Sequence, residues 1–308
     1  MAEIRPARDD AELERWLAVR NAVMSDDPIS LDNVRSWMGA SDQTHLLAFE
    51  DDELVAVGFG VKEIWQPLPR VRPLVPKENR RRGLGSALVG ELSGWAAAAG
   101  YDALLAFVEL GDEESVAFAE RRGFVEIGRE LKVALGLTGD LLRVDPPAGV
   151  EIVTWAERPD LVRGIYEAYC EGSADIPGEE GSELSSFEDW LANDMSGSGD
   201  RPEWTFVALA DDEVVGYSKW SLTTAQPTTA HHDLTAVKRA WRGRGIAGAL
   251  KSAQLAWAKE HGYTRAVTNN EERNEPIRRL NRRFGYEPAG GRILMRGPLA
   301  PARAARTS

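Results

Sequence analysis

At 308 residues, 43% hydrophobic and 28% charged, the chain has the composition of a globular protein of two ordinary domains, not of a disordered one. A formal charge of −12 argues against a general nucleic-acid binder, which presents a dominant basic face. No apolar run approaches the ~20 residues of a membrane helix, and a single cysteine, Cys170, leaves neither a disulfide framework nor a cysteine-based zinc site. The opening Met1-Ala2-Glu3-Ile4-Arg5 has no apolar signal core, so a reduced, cytoplasmic setting is expected, with Cys170 a small buried residue.

In chain order, a short strand at Glu3–Pro6 leads into helices over Ala11–Met24 and Leu31–Met38. A hairpin follows, His45–Glu50 with Glu53–Ile64, closed by Asp51-Asp52. A strand at Val71–Val75 enters Arg80-Arg81-Arg82-Gly83-Leu84-Gly85, and apolar residues from Leu84 to Ala99 then recur every three to four positions, as a helix requires. A strand (Ala103–Val108), a helix (Glu114–Arg122) and a closing strand complete this part.

The same order then repeats. Val150–Thr154 is a strand, Pro159–Tyr169 and Phe187–Asp194 are helices, and Trp204–Leu209 with Glu213–Leu222 form a hairpin around Asp211-Asp212. The strand His231–Val237 enters Arg242-Gly243-Arg244-Gly245-Ile246-Ala247 and a helix to Trp257. Arg265–Thr268, Glu275–Phe284 and a closing strand end the copy. Arg80/Arg242, Gly83/Gly245, Gly100/Gly262 and Gly123/Gly285 are all separated by the same 162 positions, so no net insertion falls between these landmarks. Asp145–Gly149 reads as the linker, giving domains of 1–145 and 150–300. The second copy holds about a dozen extra residues, placed in 171–186 or 196–202.

A strand, a Gly-rich turn and a helix start make an anion site. The first helical N–H groups lack internal partners, the helix dipole adds positive charge, and glycine lets the backbone curl close to a phosphate. The arginines add fixed charge. The Gly-Lys-Ser/Thr of nucleotide phosphate loops is absent, so a pyrophosphate held without metal is expected.

Val237 to Ala247 (VKRAWRGRGIA) resembles the acyl-CoA-binding motif of the GNAT superfamily of N-acetyltransferases, with Arg239 where proline is usual. Thr268 to Tyr286 resembles that family's second signature, and the first copy resembles both more loosely. The resemblance implies an α/β fold: two tandem GNAT-type acyl-CoA N-acyltransferase domains, each a mixed central sheet flanked by helices. It implies acetyl-CoA as co-substrate and no metal. The donor would be held by Val237, Arg242, Gly243, Arg244, Gly245, Ile246, Ala247 and Asn274, and in the first copy by Arg80, Arg81, Arg82, Gly83 and Gly85.

The expected activity is transfer of an acetyl group to a primary amine of a small molecule or peptide by direct attack on the thioester. The alternative is a non-catalytic acyl-CoA-binding or sensing protein. An amine arrives protonated at neutral pH, so a base helps. Alternation along a strand would put His231, Asp233, Thr235 and Val237 on one face and turn His232 away; the family often carries its base on this strand, so the resemblance implies His231 or Asp233 as proton acceptor, the other reading being a surface His pair at the strand's start. The first copy shows no base on the face of Val71 and Val75, so it reads as degenerate, structural, or donor-binding without turnover.

The family's helical tyrosine, the acid for the leaving thiolate, is replaced by Asn281 and Ala119; Asn281 could still hydrogen-bond the sulfur. Asn274 is equally readable as a helix N-cap. Glu171, Asp175, Glu179, Glu180, Glu183, Glu188 and Asp189 cluster in the second copy. As a wall of the acceptor cleft they would suit a cationic amine; as a loop they are simply solvated. Trp190, Trp204 and Trp220 are readable as pocket lining or as core.

Overall fold

The computed structural model describes residues 2–40, 42–62, 68–177 and 184–301. The chain forms two compact units, Met1–Gly128 with the segment from Arg292 onward, and Arg129–Gly291. These differ from the 1–145 and 150–300 division in one respect: the closing strands have changed places.

In the first unit, β1 (Glu3–Pro6) is followed by α1 (Asp10–Val23), α2 (Leu31–Ala40), β2 (Asp42–Glu50), β3 (Glu53–Lys62), β4 (Arg70–Leu74), α3 (Leu84–Ala98), β5 (Ala103–Glu109) and α4 (Glu113–Glu120). Here β1 to β5 lie in sequence order. The sixth strand is not β6 (Val125–Gly136) but the end of β12 (Glu287–Pro298), whose Arg292–Pro298 runs antiparallel to β5. One face of the sheet packs on α3 through Leu88, Leu92, Val71 and Leu104. The other packs on α1 through Leu13, Trp16, Val57 and Leu74.

The second unit contains β7 (Val150–Thr154), α5 (Val162–Ser173), α6 (Phe187–Asp194), β8 (Thr205–Ala210), β9 (Glu213–Ser221), β10 (Thr229–Val237), α7 (Ile246–Glu260), β11 (Arg265–Glu271) and α8 (Glu275–Arg283). Its sheet runs β7-β8-β9-β10-β11 and is closed by Glu130–Gly136 of β6, antiparallel to β11. Leu250, Trp220 and Phe284 fill the α7 side, and Ile165, Trp190 and Tyr217 the side of α5 and α6.

The two copies share their special backbone positions. Asp51-Asp52 and Asp211-Asp212 take the left-handed turn at φ 48°/65° and 49°/62°, which twists with the strands it joins. Among the described residues, no helix is long and apolar enough to cross a membrane.

Candidate active site

One parallel strand pair in each unit sets the site. Within each sheet the neighbours are antiparallel except β4/β5 and β10/β11, which run parallel. Their ladders are short. The first joins Arg70 to Leu105 and Val71 to Ala106; the second joins Thr229–His231 to Arg265–Val267. All four strands continue beyond those pairs, so each pair parts toward its Arg/Gly loop.

At the end of each gap a helix begins with bare amides. Gly83 and Gly245 occupy the N-cap of α3 and α7 at φ 85° and 92°, and neither helix has a side-chain cap. The first helical bonds are made by Ala87 N–H to Gly83 O and Ala249 N–H to Gly245 O. The preceding amides therefore face outward beside the positive end of the dipole. Gly243 stands at φ 75°; Arg81, its counterpart in the first loop, is held at φ 65°, a conformation that costs a side-chain-bearing residue about 1 kcal/mol.

In the first unit this geometry surrounds a cavity of about 390 Å³. It runs from the loop (Arg80, Gly83, Gly85) between β4 and β5 to Val23 and Met24 at the end of α1. Ala106, Val108 and Ala119 are among the residues that line it. Arg80 reaches Glu114 at 3.1 Å, while Arg81 stays 79% exposed with Glu114 at 3.7 Å. Arg82 pairs with Glu50 and Asn79.

The second loop is gripped from α5. Asp175, just past that helix, receives Arg239 Nε and Nη2 at 3.0 and 2.8 Å and meets Arg242 Nη1 at 2.6 Å. Hydrogen bonds from Arg239 and Arg242 hold the Asp175 carboxyl down at about 2, so it is charged at any physiological pH. Glu171 accepts from Arg239 N–H at 2.8 Å, and Glu167 pairs with Lys238 at 2.9 Å. Arg242 Nε also donates to Val237 O at 2.9 Å, and Arg244 to Ala240 O at 3.1 Å. The acidic residues on and just past α5 thus turn to the loop, away from the role of an acceptor wall; Glu179, Glu180 and Glu183 lie outside the described residues. Glu188 pairs distantly with Arg163 at 4.0 Å, and Asp189 accepts from Ser186.

Farther along the second gap, Asn281 is buried and donates to Asn270 Oδ1 at 2.6 Å, tying α8 to β11. Its own Oδ1 has no hydrogen-bond partner among the described residues. Asn274 caps α8, accepting from Ile277 N–H at 3.4 Å. Val144, just before the linker, donates its N–H to Ser252 at 3.0 Å and lies where a Cβ on Gly248 would meet it at 3.4 Å. The matching residue of the first unit, Ser86, lines the open cavity.

The expected common face of His231, Asp233, Thr235 and Val237 does not form. A bulge between His232 and Thr235 inserts one residue into β10 and reverses the alternation. His232 stacks on Trp220 at 3.9 Å in the core under α7, turned away from His231 as expected. Beyond the bulge Leu234 and Ala236 pack toward α5, and Val237 packs with the α7 core. His231 is half-buried with Nε2 2.9 Å from Gln226 Oε1. Asp233 is bound to the buried Lys219 at 2.7 Å, which also holds Asp200 at 2.7 Å. Burial works against the Lys219 charge, but Asp233 and Asp200 outweigh it and raise its pKa. Trp190 and Trp220 are core residues and Trp204 packs on that core.

Sequence reasoning missed two groups in the first unit. Arg72 of β4 and Glu109 at the end of β5 line the far end of the cavity and pair with each other. Searching only the face of Val71 and Val75 passed over them.

These features have a family. The model of the acetyltransferase (GNAT) family matches residues 11–124 and again 162–286, and the chain belongs to that family. It is a tandem GNAT acyltransferase by fold. A tandem GNAT protein from the clavulanic acid biosynthesis pathway has the same fold, with 22% identity, a TM-score of 0.80, and coverage of 98% of this chain and 100% of that one. A GCN5-related N-acetyltransferase from Sphaerobacter thermophilus aligns at 23% identity and TM-score 0.76 over 100% and 98%. No curated protein sequence matches the chain.

Proposed function

We propose that the protein is an acetyl-CoA-dependent N-acetyltransferase that acylates a primary amine of a small molecule or peptide by direct attack on the thioester. The observation that carries this reading is the cavity under the uncapped start of α3, deep enough to run from a phosphate cradle through parted strands to the opposite face. The outward amides before Ala87, with Arg80 and Arg81, suit a pyrophosphate; the parted edges of β4 and β5 offer backbone groups to an extended pantetheine arm. The donor supplies an activated acyl carbon and a thiol leaving group of ordinary pKa near 8.5.

On this reading the first copy is the donor-binding copy and the seat of turnover, whereas the sequence pointed to donor binding by both loops and to catalysis in the second. The second keeps the amides of Gly243 to Ala247 and, in His231, a proton acceptor for the case in which it loads donor. Asp233, bound to Lys219, serves it less well. No metal, nucleic acid or membrane enters the reading, and a cytoplasmic setting suits it.

Calorimetric titration with acetyl-CoA, followed by thiol release with a panel of amines, tests it. Binding with turnover is the expected result. Binding with no turnover on any amine would favour a sensing protein, a reading that the absence of the helical tyrosine at Ala119 and Asn281 supports. No binding would end both.

A further inference from the structure

The cavity of the first unit ends among charges on the face covered by α1. Along β4, Val71 packs under α3, whereas Leu74 packs with α1 and Arg72 shares Leu74's face by alternation. On β5, Glu109 lies on that face too, directly opposite Arg292 of β12 in the antiparallel register. The guanidinium of Arg292 sits 4.4 Å over the Phe107 ring. Arg20 approaches from α1, 6% exposed, with Asp27 at 3.8 Å. The guanidinium groups of Arg20, Arg72 and Arg292 thus gather on one face of the sheet, near the carboxylates of Glu109 and Asp27.

Arg72 is the member that meets the cavity. Its side chain is 12% exposed, and among the described residues its one hydrogen bond is from Nη2 to Glu109. Nε and Nη1 are unspent. Burial lowers the pKa of this guanidinium against the opposing pull of Glu109, and the charge of Arg292 lowers it further. A dry, under-partnered guanidinium fork is matched by a carboxylate, which can take two parallel N–H bonds.

We propose that this end of the cleft receives an amine that carries a carboxylate within two or three bonds, that Arg72 binds the carboxylate, and that Glu109 accepts the proton the amine must lose. The proposal rests on the reading of the first unit as the donor-binding copy. Because Arg72 and Glu109 touch, an amino-acid head spans both. Its carboxylate replaces Glu109 on Arg72 and leaves the Glu109 carboxylate, 57% exposed, to face the ammonium group. Glu109 takes one N–H proton. The nitrogen lone pair then forms the N–C bond as the C–S bond breaks, its electron pair leaving on sulfur. The second N–H proton passes to that sulfur, so the products are amide, free thiol and one proton on Glu109.

The test compares free amino acids with their amides as acceptors for the full-length protein and acetyl-CoA. Wild type should prefer the acids by about 30-fold in kcat/KM, the worth of a charged hydrogen-bonded pair. Arg72→Met should erase that preference and leave acetyl-CoA affinity unchanged by calorimetry. Glu109→Gln should lower kcat about 100-fold with acceptor KM retained. Equal use of acids and amides by wild type, or an equal loss for both in Arg72→Met, would overturn the proposal. Should acetyl-CoA not bind the first unit, the donor reading falls. Saturation-transfer NMR with the amino acids alone then decides: signals lost in Arg72→Met uphold the anion site, and no signal from wild type removes it.

Discussion

The two Arg/Gly loops have the same backbone and different surroundings. Gly83 and Gly245 cap their helices at φ 85° and 92°, and in both copies the arginine at the loop's start donates through Nε to a valine carbonyl, that of Val75 just after β4 and that of Val237 at the end of β10. Around the first, Glu114 stands at the cavity's edge and Arg81 points to solvent. Around the second, Asp175 and Glu171 take up the arginines, Asn281 ties α8 to β11, and Val144 lies over the first turn of α7. An anion-binding backbone is a local property; its availability is decided by residues from elsewhere in the chain.

The largest expected effect breaks this comparison if it fails. Gly83→Asp places a carboxylate in the first cradle and should weaken acetyl-CoA binding about 1,000-fold, since repelled like charges cost several kcal/mol. Gly245→Asp should leave the binding curve unchanged. Calorimetry on both variants decides it, and the reverse result would move the donor to the second copy.

A stability difference comes next. Lys251 of α7 is 1% exposed, and burial pushes its pKa down to about 7; the corresponding residue of α3 is Val89. The unfolded chain, with lysine near 10.5, binds the proton more readily, so folding is disfavoured by the full amount below pH 7. The penalty fades as pH rises from about 7 toward 10.5. Lys251→Met should stabilise the protein by about 2–4 kcal/mol at pH 6, and by progressively less above pH 8, in urea titrations. A pH-independent gain would assign the effect to packing alone.

Releasing the clamp should sharpen the contrast. Asp175→Ala removes two exposed ion pairs worth about 1 kcal/mol or less apiece, so affinity of the second loop for acetyl-CoA should rise about 10-fold and a second equivalent appear in the titration. Arg242→Glu in the same background should abolish that second event. Unchanged stoichiometry would mean that Val144 or Asn281, not the clamp, governs the second loop.

The smallest effect concerns Arg81, held at positive φ where the second copy has Gly243. Arg81→Gly should raise stability by about 1 kcal/mol while weakening acetyl-CoA binding a few-fold through the lost charge. Both changes are measurable on one sample by thermal melting with and without donor.

The elements and their duplication were legible because they are written locally: apolar spacing of 3.6 for α3 and α7, acidic turns between strands, and glycines where φ must be positive. The phosphate cradle was legible for the same reason. The features that separate the copies are not local. A bulge adds one residue to β10 and shifts Leu234 to Val237 to new faces, and no residue type announces it. Asp175 and Arg242 are distant in sequence, and an acidic stretch reads alike whether it borders a cleft or grips a loop. Glu109 and Arg72 were in plain view, but their pairing depends on the register of two parallel strands that touch over only two residue pairs.

The exchange of closing strands bears on how the protein is made. Ala103 of β5 finds its partner in Pro298, so the first sheet cannot be completed until the whole second copy has been translated. Until then the β5 edge, Leu104, Leu105 and Phe107 included, stands open to any other strand, the kind of edge from which aggregation starts. The second unit is already supplied, because Glu130–Gly136 emerges before β11 and waits for it. The copy that is translated first is thus the one that finishes folding last. Cutting the gene at the linker would yield two fragments that each retain the strand belonging to the other.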